Sequence, residues 1–286
     1  MGFDTLLLDW LRLGLRWLHV MAAIVWLGTA FYFMGLDQEL RRRPARRPED
    51  GKGEAWQVHG GGFYHIEGVV PGGEPPPGAG FARFRWPAYT TWISGFLLLA
   101  VLYYVEATLR LTGPDATGLS PVPAVLLTLA SLTLGYTLYE GLCRAAPTRR
   151  PRVLALACFL LLTAFAWLHA LLLDGRAALL LDGALVGTIM VANVAHIMIP
   201  IQRRALAAWG EGREPDAADL ERARTRAAHN DHLALAAVLA MLGGHYPLLH
   251  EGGRSWLAFA AALVVSAGAA RLWRRQHGGR GPGLTP

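Results

Sequence analysis

The chain is poor in the residues that soluble proteins use for surface charge and covalent staples. Only 17% of its 286 residues are charged, against roughly a quarter in an average soluble domain. Lysine is reduced to Lys52, so nearly all the positive charge is arginine. The two cysteines, Cys143 and Cys158, provide no CxxC, no CxxCH attachment for a covalent c-type haem and no disulfide framework. The N-terminus has Asp4 and Asp9 where a secretory leader has a basic stretch. The apolar run 11–36 is also too long for a leader core, so it reads as a retained first span. No internal repeat stands out, which leaves an inverted-repeat transporter without direct support.

What is abundant is apolar sequence, 53% of the chain, and it falls in uninterrupted blocks such as Trp92–Val105, Val153–Leu173 and Ala184–Ile201. Blocks of about 20 apolar residues cross a bilayer as helices. Spans are expected near 14–36, 89–110, 122–142, 153–173, 178–200, 232–249 and 256–273. The fold class is therefore an all-α, polytopic membrane bundle, a single integral membrane domain over 1–275 with a short tail at 276–286. A soluble enzyme is excluded. The lysines and arginines number 2 at the start of the chain, then 8, 1, 4, 1, 6 and 1 in successive connections and 4 at the end. Positive charge retained in the cytoplasm then places the N-terminus outside and the C-terminus inside. Because the net charge of +6 is spread between spans, it marks topology and not a nucleic-acid face.

Two connections are large enough to build a site, about 37–88 and 201–231, and both fall on the cytoplasmic side. The first opens with the charged stretch RRRPARRPED and contains a Pro/Gly stretch at 71–80; in the second, Asp216 or Asp219 can N-cap a helix leading into span six. Topology sorts the histidines by depth. His19, His169 and His245 form an outer layer on three different helices, and His59, His65, His196, His229 and His232 form an inner one. Ionisable groups at membrane depth are costly and usually face the interior. The outer three can present imidazoles to a b-type haem, or to copper or zinc; a lone one is as readily a satisfied interior histidine. On span five, Asp182, Asn193 and His196 share a stripe at helical spacing, as either a proton path or a packed polar seam. Gly183 and Gly187, nearby, have the spacing of close helix packing.

The segment 53–68, GEAWQVHGGGFYHIEG, is unusual for a membrane loop. It combines an amide, two imidazoles, carboxylates and three aromatics around Gly60, Gly61 and Gly62, whose backbone can approach a planar or anionic ligand closely. With RWLHVMAAIVWLGTAFYF at 16–33, AWQVHGGGFYH at 55–65, AYTTWISGFLLL at 88–99, GTIMVANV at 187–194, HND at 229–231 and HYP at 245–247, it resembles the membrane domain of bacterial cytochrome c-coupled urate oxidases (urate hydroxylases), nearly end to end. Ile201 and the pair Asp231–His232 depart from that pattern. So does the absence of the C-terminal c-type cytochrome domain that follows an eighth span in those proteins.

The resemblance implies a multi-pass protein of the bacterial inner membrane. It would oxidise urate to 5-hydroxyisourate on the cytoplasmic side and pass electrons to a separate c-type cytochrome. It carries over Gln57, His59, Gly60, Gly61, Gly62, Trp92, His19, His169, Asn193, Gln202, His229, Asn230 and His245. Urate is a planar monoanion at neutral pH, and the residues needed to hold it are present. Arg83, Arg85 and Arg203 offer charge, Gln57 and Gln202 amide edges, and Trp56 or Trp86 a stacking face. His59, His65 or His229 can serve as the base. A haem held by two of His19, His169 and His245 would carry electrons across the membrane. Two other readings use the same scaffold: a haem-binding electron-transfer subunit without urate chemistry, and an anion permease.

Overall fold

Backbone that lies in lipid must satisfy its own hydrogen bonds, and this chain does so with helices. The computed structural model describes residues 3–42, 53–69, 84–113, 118–145 and 150–278. Its helices are α1 (Phe3–Arg42), α2 (Arg85–Leu99, continued by a π turn Ala100–Tyr104), α3 (Ala107–Arg110), α4 (Pro121–Ala145), α5 (Pro151–Leu172), α6 (Gly175–Ala192, running through a π turn Asn193–Met198), α7 (Ile199–Gly210), α8 (Ala217–Gly243), α9 (Pro247–His250) and α10 (Ser255–Gly278). Strands β1 (Gly53–His59) and β2 (Gly62–Gly68) form an antiparallel hairpin between α1 and α2.

Among the described residues six helices are long and apolar enough to cross a membrane, and a seventh span exists if α8 and the segment Pro247–Gly253, bent from it by 112°, count as one. The bend follows Gly243 and Gly244, with Pro247 opening the next short helix. Helix α6 is the central element: Leu179, Leu181, Leu185, Val186 and Ile189 are at most 1% exposed. Its neighbours approach through small residues. Gly183 meets Ala240 of α8, and Gly135 of α4 leaves room for Leu185, while the space beside Gly187 is open. At the far end from the hairpin, Glu106 accepts hydrogen bonds from Arg110 (2.6 Å) and Arg12 (2.5 Å), tying α1 to the end of α2. These two guanidiniums hold the Glu106 carboxyl below its ordinary range.

The connection at 201–231 is not a loop. α7 continues from α6 to Gly210 and α8 begins at Ala217, which leaves only a short turn between them. Asp216 caps α8 by accepting from the Ala218 (2.8 Å) and Asp219 (3.3 Å) amides, and the capped helix runs on through span six. Helices therefore project well past the apolar layer. The 40 residues of α1 correspond to about 60 Å at ~1.5 Å per residue, twice the ~30 Å hydrocarbon core.

The polar stripe on α6 is also redirected. Asp182 bonds sideways to His169 of α5, Asn193 to Tyr139 of α4 and Asn230 of α8, and His196 to Tyr136 of α4. Asp182 and Asn193 are buried whereas His196 is exposed, because the π turn beginning at Asn193 breaks the 100° step that relates them. The three make separate interhelical seams.

Candidate active site

The helical projections border an open cavity of about 1480 Å³ at the hairpin end of the bundle. Its wall is assembled from the ends of α1 (Phe33, Asp37, Arg41), α2 (Arg85), α5 (Arg152, Cys158), α7 (Gln202), α8 (Glu221, Arg224 and Ala227 to Ala234) and α10 (Arg271, Arg274), with Tyr139 of α4 behind. Six arginines and three carboxylates (Asp37, Glu221, Asp231) line it. With neutral histidines this surface is cationic, and focusing within low-dielectric walls favours an anion.

The polar floor is a continuous set of buried hydrogen bonds. Tyr139, 2% exposed, lies 2.7 Å from His229 Nδ1 through its hydroxyl. Asn193, fully buried, donates from Nδ2 to Tyr139 Oη (3.0 Å) and to Asn230 Oδ1 (2.9 Å). Asn230 in turn donates to the Met190 carbonyl (3.0 Å), which also receives the Asn193 amide of the widening helix. Arg226, 4% exposed, donates to Asn193 Oδ1 (3.3 Å) and Glu140 (2.6 Å), and its guanidinium lies 5.2 Å from the Tyr139 ring centre. Three residues beyond His229, the His232 ring bonds the Ala228 carbonyl through Nδ1 (2.6 Å). His229 and His232 both line the cavity.

Of the residues picked out in the sequence, His229, Asn230, Gln202 and Arg85 line this cavity and Asn193 supports it from behind. Those on the hairpin do not line it. Gly60 and Gly61 have positive φ (56° and 82°) and make the two-residue turn. Gln57 accepts from Tyr32 of α1 (2.8 Å), and Trp56 stacks on His65 (ring centres 4.4 Å apart), which also bonds Glu54 at 3.0 Å. His59 and Gly62 stand at the tip, Trp86 and Arg203 are exposed, and Trp92 bonds Thr188 (3.1 Å). Arg83 lies outside the described residues.

His19, His169 and His245 are brought to different places. His19 bonds the Thr91 carbonyl of α2 through Nδ1 (2.9 Å) and packs on Gly95. His169 is fully buried, with Nδ1 on Asp182 (2.7 Å) and Nε2 on Ser131 (2.9 Å). His245 is exposed in the turn after α8. Among the described residues no group of three or more His, Cys, Asp or Glu side chains can hold a metal ion. The Asp182 contact at Nδ1 is of the kind that orients a metal-ligating imidazole, while Nε2 is engaged by the Ser131 hydroxyl.

Tyr139, Glu140, Arg226 and His232 were not singled out as site residues by sequence reasoning, although a signal existed. Arg226 precedes His229 by three residues and shares its helix face, and Glu140 is an isolated carboxylate near the end of an apolar helix.

No curated protein and no solved structure matches the chain. The segments that carry the resemblance lie on α1, the hairpin, α2, α6 and α8, and these elements surround or adjoin the cavity. The likeness is not local: the family model described as urate oxidase N-terminal matches residues 5–283, and the chain belongs to that family.

Proposed function

We propose that the chain is a membrane oxidoreductase that binds urate in the arginine-lined cavity and oxidises it to 5-hydroxyisourate, passing the electrons to a separate c-type cytochrome. The observation that carries this reading is the cavity itself, where a cationic wall meets an imidazole fixed by a buried tyrosine and two amide side chains, Asn230 and Gln202. A planar anion needs such a mixture of charge and edge-on hydrogen bonds. The stoichiometry is simple: the urate monoanion and one water give 5-hydroxyisourate, one proton and two electrons. The distribution of basic residues supports a cytoplasmic location for this end of the bundle and of the cavity.

The test is urate consumption by the purified protein in detergent or liposomes, with ferricytochrome c as acceptor. Two cytochromes are expected to be reduced per urate consumed, with the rate falling sharply in His229→Ala. Protein that is folded yet neither binds urate nor consumes it with ferricytochrome c or ferricyanide would refute the reading.

A further inference from the structure

The hydrogen bonds around His229 and His232 determine where each ring carries its proton, and they do so in opposite senses. A guanidinium only donates, so Arg226 requires the oxygen of the Asn193 amide to face it. A backbone carbonyl only accepts, so Met190 requires the nitrogen of the Asn230 amide, which turns Asn230 Oδ1 towards Asn193. Both anchors give Asn193 the same orientation, with Nδ2 directed at Tyr139 Oη. The tyrosine oxygen accepts there, and its own proton is then directed along the 2.7 Å contact to His229 Nδ1. A neutral His229 therefore carries its proton on Nε2. At His232 the partner of Nδ1 is the Ala228 carbonyl at 2.6 Å, which can only accept. That ring carries its proton on Nδ1 and leaves the Nε2 lone pair free.

We propose that His232 is the catalytic base of the cavity and that His229 is the neutral donor that binds the anion, with Tyr139, Asn193 and Arg226 as positioning residues that fix the His229 tautomer. The proposal rests on the reading of the cavity as a urate site. Its chemistry balances with one base. The urate monoanion loses one N–H proton to His232 Nε2 while two electrons leave to the c-type cytochrome, and addition of water to the dehydrourate so formed gives 5-hydroxyisourate. The imidazolium then releases its proton to cavity water. The Cys143 side chain also lies beside the His229 ring; sulfur is a weak partner, and the 2.7 Å contact with the Tyr139 hydroxyl fixes Nδ1. Ser266 donates to the His232 carbonyl (2.6 Å), fixing this turn of α8 against α10.

Two measurements test the assignment independently. Long-range ¹H–¹⁵N correlation of imidazole-labelled protein reports the tautomers with no substrate present, the two rings being identified by their absence in His229→Phe and His232→Asn. An Nε2–H signal is expected for His229 and an Nδ1–H signal for His232, and the reverse at either ring overturns the proposal. In kinetics, His232→Asn preserves the donation to Ala228 and removes the lone pair. It is expected to lower kcat by about 100-fold or more, to leave urate affinity nearly unchanged and to recover activity with added imidazole. His229→Phe should instead weaken urate binding by roughly tenfold or more, without imidazole rescue. Wild-type kcat in His232→Asn overturns the assignment of the base. If the unmodified protein does not oxidise urate at all, the functional reading fails, while the tautomer spectra still decide the hydrogen-bond assignment.

Discussion

Replacing Arg226 with methionine is the most informative perturbation of the buried network. The guanidinium is 4% exposed and its partner Glu140 is 9% exposed, so both charges sit largely out of water. Removing one member of a buried ion pair costs about 3–5 kcal/mol, because the other charge is left without its partner. Glu140 keeps a second contact, from Arg144 at 2.8 Å, but that side chain is 77% exposed and its contribution is screened. The lower part of the range therefore applies, about 3 kcal/mol, which at about 2–4 °C per kcal/mol corresponds to a melting point lower by roughly 6–12 °C. Thermal unfolding in detergent micelles measures this directly. The reasoning makes a stronger demand on the pair of substitutions. Arg226→Met combined with Glu140→Leu removes the stranded charge together with its partner, and should recover most of the loss, giving a coupling of about 1–3 kcal/mol in a double-mutant cycle. Additive losses would refute the view that the ion pair is the dominant interaction here. So would an Arg226→Met protein that melts with the parent.

Other expectations follow from the same packing. In Gly175→Ala a Cβ would be driven into the backbone carbonyl of His250, which cannot swing aside; a loss of about 1–3 kcal/mol is expected, whereas Gly187→Ala, which enters open space, should melt with the parent. His169→Ala leaves Asp182, 1% exposed and already without a partner for Oδ2, as an uncompensated buried group, so about 3–5 kcal/mol of stability should be lost, and Asp182→Leu in the same protein should restore part of it. For Glu106, a carboxyl held below its ordinary value by Arg110 and Arg12 contributes stability that is fully present above the unfolded value of about 4.5 and is lost as pH falls through the native one. Acid unfolding of Glu106→Gln should accordingly show a shallower pH dependence below that value than the parent.

The helical spans were legible in the sequence because the physics that makes them is local. An apolar block of bilayer length has one way to satisfy its backbone, and the described helices fall where such blocks lie. The hairpin is a different case. A glycine triplet flanked by aromatic and imidazole groups has the composition of a ligand loop, and here Gly60 and Gly61 also supply the positive φ of a tight turn that sets Trp56 opposite His65 and Gln57 opposite Tyr64. Residue type alone does not separate a turn from a cradle, since both call for glycine.

The cavity was hidden for a different reason. Hydropathy records where an apolar run ends, and the helix need not end there. Beyond Ile201 the sequence turns polar and arginine-rich, which reads as a connection, but α7 continues to Gly210 and α8 resumes at Ala217 with only its Asp216 cap to announce it. Helices that outlast the apolar layer place charged side chains on rigid elements facing one another. Arg226 thereby reaches across to Glu140 and Asn193, residues 86 and 33 positions away. Only with these long-range partners in view does the directionality of the hydrogen bonds become readable. It also gives a role to His232, which in sequence stands out as one of the inner histidines and as a departure from the family pattern. Its adjacent Asp231 is tied to Arg274 of α10 at 2.9 Å, so the same two residues that depart from the pattern join α8 to the cavity wall and supply its free imidazole nitrogen.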